Sequence, residues 1–263
     1  MKVLVTGASG GIGEAVVNYL TGKNIEVIAC DLVKKQFDSP LVSFYELDVC
    51  NQASIDNLRL DLENKRITLD AIVNIAGMFL IDSFIEVNNE QLKRLFDVNL
   101  MGVIAVNKTL FPLLNKNGRI VITTSDVATL DPMPFNGIYN VSKTALDSYS
   151  QALRQELNLL GIKVITIRPG AFNTTLSQGS LTKTKELSDK TVLYKKQSKR
   201  FYSLVKGFMG TPKDPKKLAP IYYKALTKKR PKLCYRKNAN ILLALLNVLP
   251  KRLQCFIIKL ILK

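Results

Sequence analysis

A glycine-rich turn set between an apolar run and a helical pattern constrains this chain more than any other feature. Met1-Lys2-Val3-Leu4-Val5 is long enough for one buried strand. Residues 14–20 carry apolar positions at Ala15, Val16, Tyr19 and Leu20, spaced as one face of a helix. Between them stands Thr6-Gly7-Ala8-Ser9-Gly10-Gly11-Ile12-Gly13. Strand, glycine turn and helix form the setting in which backbone N–H groups and a helix N-terminus hold a diphosphate. A Cβ there would keep phosphates away from the backbone. The turn reads as a dinucleotide cradle, with Gly7, Ser9, Gly11, Ile12 and Gly13 as candidate contacts.

The pattern continues. β-rich runs at 2–6, 26–30, 42–47, 71–75, 119–123 and 163–168 alternate with helical periods at 54–64, 89–114 and 138–160. Repeated βαβ units predict an α/β fold, a single-domain, doubly wound parallel sheet of Rossmann type with a C-terminal helical extension, its ligands at the C-terminal strand ends. Pro40 and a short link predict a stunted crossover between the second and third strands. Residues 177–210 are polar, lysine-rich and poorly periodic, which predicts a mobile segment, 175–215, over the cleft. A helix is expected at 215–228, an edge strand at 232–235, and an apolar helical stretch at 238–263 broken at Pro250. The division is a catalytic domain over 1–237 and a basic amphipathic tail over 238–263.

The chain has 263 residues and no histidine, which removes Ser-His-Asp and Cys-His catalysis and His-ligated metals. No metal site is expected. Proton transfer is left to carboxylate, lysine, tyrosine or water. Cys30, Cys50, Cys234 and Cys255 form no C-x-x-C pair, so disulfides are not expected and a reducing cytoplasm fits. The N-terminus enters a strand directly, so no signal peptide is expected. No apolar run reaches the roughly 18–20 residues of a membrane span.

Asp31 ends the second strand, where a carboxylate accepts both hydroxyls of an adenosine ribose and repels a 2′-phosphate. A turn or N-cap aspartate is the alternative reading. Lys34 and Lys35 partly offset the repulsion, so NAD is favoured without excluding NADP. Asp48-Val49 ends the third strand, and Asn74-Ile75-Ala76-Gly77 the fourth, where small residues let the backbone approach a ring and ribose. Each alone is more often a loop than a site. Tyr139 and Lys143 are i and i+4 and share a helix face. A free phenol has a pKa of about 10, and an ammonium one turn away favours the phenolate. Alone, the pair is a common chance spacing. Ser125 ends the fifth strand, where its hydroxyl could bond a substrate oxygen. Asn99 sits inside a predicted helix in which asparagine is a poor helix former, and facing solvent is the plainer reading.

In order, these motifs resemble the short-chain dehydrogenase/reductase family of the classical type. They are T-G-x-x-x-G-x-G at Thr6 to Gly13, Asp48, N-x-A-G at Asn74 to Gly77, Asn99, Ser125, Y-x-x-x-K at Tyr139 to Lys143, and P-G-x-x-x-T at Pro169, Gly170 and Thr174. The resemblance covers about residues 1–175. It implies Tyr139 as acid/base and Lys143 as binder of the nicotinamide ribose that depresses the tyrosine pKa. It implies that Ser125 orients the substrate oxygen, Asn99 holds a relay water, and Thr174 meets the nicotinamide carboxamide. Asp48, Val49, Asn74, Ala76, Gly77, Pro169 and Gly170 complete the implied cofactor contacts. Two features depart from the pattern. Asp126 occupies the slot at the commonest spacing before the tyrosine, and Ile75 replaces the usual second asparagine. Ser125 is preferred because an aspartate would repel an oxyanion.

The charge of +17 is uneven: residues 183–263 hold 22 of the 38 lysines and arginines but only Glu186, Asp189 and Asp214 as acids. In the tail, Leu253, Phe256, Ile257, Leu260 and Ile261 make an apolar stripe with Arg252, Lys259 and Lys263 off it. Two readings stand: a helix lying on anionic lipid, or one packed on the pocket or a partner subunit. Nucleic-acid binding lacks aromatic–basic interleaving. The expected protein is a cytoplasmic homo-oligomer, with peripheral membrane contact through the tail as one of its two readings. It exchanges hydride between a nicotinamide cofactor and a lipophilic secondary alcohol or ketone, steroid-, retinoid- or acyl-like. A 3-oxoacyl-carrier-protein reductase and a non-catalytic dinucleotide-binding regulator or scaffold are the alternatives.

Overall fold

A computed structural model describes residues 1–208 and 213–263, with side chains throughout except at 175–178 and 208. Seven parallel strands lie in the order β3-β2-β1-β4-β5-β6-β7. They are β1 (Lys2–Thr6), β2 (Glu26–Asp31), β3 (Val42–Glu46), β4 (Leu69–Asn74), β5 (Leu114–Thr123), β6 (Lys163–Pro169) and β7 (Cys234–Lys237). The expected doubly wound sheet is present, with the edge strand displaced two residues from the expected 232–235. Among the described residues, no helix connects β2 to β3, as the short Pro40 link predicts.

Registry sets up the site. Thr6 pairs with Asn74, Asn74 with Ile122, and Thr123 with Ile167. The chain therefore leaves β1, β4, β5 and β6 along one edge of the sheet. Order reverses between β1 and β4, and the crevice at such a switch point is where doubly wound sheets bind ligands.

Helices cover both faces. On one, α1 (Gly11–Thr21) buries Val16, Val17 and Leu20 against Val3 and Val5. The helix α8 (Ala219–Thr227) joins the same core through Tyr222 and Leu226. On the other face, α2 (Gln52–Asn64) and α4 (Gly102–Leu110) enclose Leu4, Ile28 and Ile72 with Ile55, Leu62, Val106 and Leu110. Next to them α5 (Gly137–Asn158) packs Leu146 on Ile120 and Ile122. A parallel sheet covered on both sides needs such continuous apolar strands.

The periodicity of 89–114 predicts one helix, and the structure divides it. The first part is α3 (Asn89–Phe96), capped by Asn88. A five-residue π turn, Asp97–Met101, leads into α4, and a 3₁₀ turn at Phe111–Leu113 precedes β5. The physical reason lies in Asn99, which is fully buried and bonds the Met78 backbone and Ser142 instead of solvent. Pro112 lacks an N–H and helps end the run.

Poor periodicity assigns no helix to 177–210, yet the described part folds as α6 (Thr175–Lys190) and α7 (Lys195–Phe208). Its apolar anchors are Leu187 and Phe201, buried with Ile81 and Phe135, and Thr184 and Ser198 are buried beside them in sequence. Asp82, buried, pairs with Lys190 at 2.6 Å. The Glu86 carboxylate accepts from Thr191 Oγ1 and from the N–H groups of Val192 and Leu193, which holds it below its ordinary pKa. Residues 209–212, within the expected mobile segment, lie outside the described residues. The chain closes with α9 (Ile241–Val248) and α10 (Lys251–Leu262), separated at Pro250 as expected. All four cysteines are free.

Candidate active site

The in-register strand ends open on a cleft of about 530 Å³. Its floor is the glycine turn. Gly7 has φ +68°, a left-handed backbone, and a Cβ there would stand 2.6 Å from the Ala76 nitrogen. A Cβ on Gly13 would come within 2.0 Å of the Gly7 carbonyl oxygen. The turn can close this tightly only with glycine. It delivers the N-terminus of α1 into the cleft, and a dinucleotide diphosphate fits that donor set.

Gly7, Ser9, Gly11, Ile12, Gly13, Asp31, Asp48, Val49, Ala76, Gly77, Ser125, Tyr139, Lys143, Pro169, Gly170 and Thr174 all line this cleft. Asn74 and Asn99 do not. Asn74 is buried, donates Nδ2–H to Asn107 Oδ1 at 2.8 Å, and keeps its own Oδ1 without a partner among the described residues. Asn99 acts one layer behind the wall. Its Nδ2 donates to Ser142 Oγ at 3.0 Å, and Ser142 Oγ donates to the Tyr139 carbonyl at 2.7 Å.

At one end of the cleft stands Asp31. Its two oxygens accept the Ser9 N–H at 2.9 Å and the Val33 N–H at 3.0 Å. Lys35 is drawn to Glu14 at 2.6 Å. Asp48 accepts the Cys50 N–H at 2.9 Å and stands 3.7 Å from Arg94.

At the other end Tyr139 and Ser125 line the cleft together. Burial pushes the phenol up to about 12, with the nearby Ser125 hydroxyl lowering it and Asp126 raising it. The Lys143 ammonium lies 5.9 Å from the Tyr139 ring centre and donates to the Thr123 carbonyl at 3.4 Å. Burial lowers its pKa to about 8. In the protein alone the phenol is raised by desolvation, and the Lys143 ammonium is not among the groups that shift it. Asp126, in the slot of commoner spacing, does not line the cleft. Its Oδ2 accepts the Asn240 N–H at 3.2 Å.

Sequence reasoning did not single out Phe79, Arg94 or Val98. Phe79 meets the Tyr139 ring edge-on at 4.7 Å. Arg94 and Val98 line the cleft from α3 and the π turn. None stands in a motif, although Arg94 lies one helical turn before the irregularity that Asn99 marks. Among the described residues no cluster of three or more His, Cys, Asp or Glu is placed to hold a metal.

Known proteins share this arrangement. Residues 1–185 match the model of the short chain dehydrogenase family. An oxidoreductase of Staphylococcus epidermidis is 29% identical over 185 residues, covering 67% of this chain and 80% of that one. The 3-ketodihydrosphingosine reductase of Bacteroides thetaiotaomicron is 25% identical over 230 residues, covering 87% and 84%. The crystal structure of a short chain dehydrogenase family protein from Francisella tularensis superposes with TM-score 0.71 at 26% identity, over 87% of this chain and 91% of that one. The family match spans the glycine turn, the strand ends and the Tyr139 helix just described. This chain is thus an oxidoreductase and belongs to the short-chain dehydrogenase family.

Proposed function

We propose that the protein transfers a hydride between NAD and a lipophilic secondary alcohol or ketone, with Tyr139 exchanging the proton of the substrate oxygen. The reading is carried by the convergence of Ser125, Tyr139 and the buried Lys143 on one cleft, with the Lys143 ammonium 5.9 Å from the Tyr139 ring centre. The nicotinamide, when bound, supplies or accepts the hydride. In reduction the protonated Tyr139 donates to the developing alkoxide while the Ser125 hydroxyl holds the same oxygen. Oxidation reverses the transfer, and Tyr139 must then be ionised. A neighbouring ammonium stabilises that phenolate, which is the role for Lys143, together with binding the nicotinamide ribose. Asn99 keeps the Tyr139 helix in place through Ser142 and holds a relay water.

Asp31 supports NAD over NADP: a carboxylate already fixed by two backbone donors would meet a 2′-phosphate with like charge. The Lys35–Glu14 pair removes one cation that would offset it. The cofactor contacts assigned to the turn, Asp48, Val49, Asn74, Ala76, Gly77, Pro169, Gly170 and Thr174 belong to this proposal.

The lipophilic substrate is supported by the wall beside Tyr139, where Phe79 packs into a cluster of Ile81, Phe135, Leu187, Phe201 and Leu262. It is also supported by likeness, along 87% of this chain, to a reductase named for 3-ketodihydrosphingosine, a long-chain ketone. A cytoplasmic homo-oligomer completes the proposal. The test is reduced-nicotinamide absorbance with NAD⁺ and NADP⁺ against a panel of secondary alcohols graded in chain length. Efficiency that rises with chain length under NAD⁺ supports the reading, and turnover of short polar alcohols alone sinks it.

A further inference from the structure

The last two helices divide their apolar residues between two directions. In α10, Gln254 and Leu262 are buried, and Leu262 and Ile258 join the cluster that reaches Phe79. Leu253, Phe256, Leu260 and Ile261 face outward, Phe256 at 57% exposure. In α9 no residue is buried, and Ile241, Leu242, Leu245 and Val248 are exposed, Val248 at 82%. The helices are tied together, since Gln254 Nε2 donates to the carbonyls of Asn247 and Leu249. The two helices are thus held next to each other, each with an exposed apolar face.

At about 100° per residue, Leu253, Phe256 and Leu260 fall within roughly 60° of one another, and Arg252, Lys259 and Lys263 occupy the adjoining sector. No acidic residue follows Asp214. An uncharged aliphatic stripe edged on one side by cations is the pattern of a helix lying in a lipid interface, its ammonium groups reaching anionic headgroups. No described helix is long and apolar enough to cross a membrane, so the pair would lie on the bilayer and not span it.

The pair also sits at the substrate end of the cleft. Asp126, next to Ser125, accepts the Asn240 N–H, the Asp131 N–H donates to Asn247, and Lys251 pairs with Asp131.

We propose that α9 and α10 form a docking surface for an anionic lipid bilayer, which holds the Tyr139 end of the cleft against the membrane from which a lipophilic substrate arrives. The docking deepens the lipophilic-substrate reading and rests on it only for its purpose, so the two can fail separately.

The test is co-sedimentation of the full chain with phosphatidylcholine vesicles, with and without phosphatidylglycerol. Binding should require the anionic lipid and fall as salt is raised. Replacing Arg252, Lys259 and Lys263 together by Gln should weaken partitioning roughly 100-fold, at about tenfold or less per cation. Leu253→Ser with Phe256→Ser and Leu260→Ser should abolish it. Both variants leave Gln254, Ile258 and Leu262 in place and should keep turnover of a water-soluble ketone, which shows that they fold. Tyr139→Phe should bind vesicles as the parent does. Absence of binding, equal binding to neutral vesicles, or variants that bind like the parent would overturn the proposal. If the serine variant instead splits an oligomer in sedimentation equilibrium, the face belongs to a second copy. If only an acidic acyl carrier protein is bound, it belongs to a protein partner. Either outcome also overturns the proposal. Vesicle binding without turnover of lipophilic alcohols would remove the substrate reading and leave the docking intact.

Discussion

The two ends of the cleft are built by different means. At the dinucleotide end the walls are backbone: the glycine turn, the ends of β1, β4 and β6, and the N-terminus of α1, all placed by strand registry. At the proposed substrate end, Phe79 beside Tyr139 packs with side chains of α6, α7 and α10, held by a few long-range anchors. Lys190 reaches Asp82 and Thr191 reaches Glu86 across more than a hundred residues of chain. A cradle of backbone is fixed by the sheet that carries it, and side chains such as Asp31 are added at its rim. A wall hung on side-chain anchors can be exchanged without disturbing the sheet, and it is where specificity can differ between relatives.

The comparison yields measurements that can break it. The largest expected effect is at the junction of the two ends. Tyr139→Phe should lower turnover about 10²–10⁴-fold, the range of general acid–base catalysis, while cofactor affinity stays within a few-fold. Parallel loss of cofactor binding would mean the ends are not separable. The pH profile sharpens the same point. With the phenol pushed up to about 12, Tyr139 is protonated at neutral pH and ready to donate. Reduction should be flat near neutrality, and oxidation should climb as pH rises and the phenolate fraction grows. Oxidation that falls with rising pH would contradict the assignment of Tyr139.

Next in size is an anchor of the substrate end. Lys190→Ala leaves the buried Asp82 carboxylate without its ion pair and should cost about 2 kcal/mol in urea unfolding. KM for the alcohol should rise while cofactor affinity holds. An equal loss of NAD affinity would show the cofactor end leaning on α6. The smallest effect is expected at the far end of the dinucleotide cradle. Asp31→Ala should shift the NAD-to-NADP affinity ratio about tenfold toward NADP, worth about 1.4 kcal/mol, with KM for the alcohol unchanged. An unchanged ratio in titrations of both cofactors would remove Asp31 from cofactor choice.

The same contrast decides what could be read from the sequence. The turn from Thr6 to Gly13, the strand ends and the Tyr139–Lys143 spacing are local patterns, and local patterns are legible because backbone geometry enforces them. Phe79 was invisible because its partner Tyr139 is sixty residues away and no periodicity links them. Helices α6 and α7 were missed because their buried stripe is largely polar: Ser180, Thr184 and Ser198 share helical spacing with Leu187 and Phe201, and an apolar periodicity does not register them. The sign of the Tyr139 shift escaped for another reason: spacing reveals a neighbouring charge but not the burial that opposes it. Asn99 was singled out as an odd helical residue, and its oddness proved to be a turn of different pitch.

That turn makes length and orientation inseparable along residues 89–113. Each residue of a helix is worth about 100° of rotation. Leu95 before the π turn belongs with Leu80 and Ile138, whereas Val103 and Val106 after it face Ile120 and Ile72. Deleting one residue between them would act as a twist more than a shortening. It would wind α4 away from the sheet, or swing Leu95 out of its core and carry the Asn99 amide off Ser142. A single-residue gap here would therefore disturb two packed faces at once, where a substitution disturbs one.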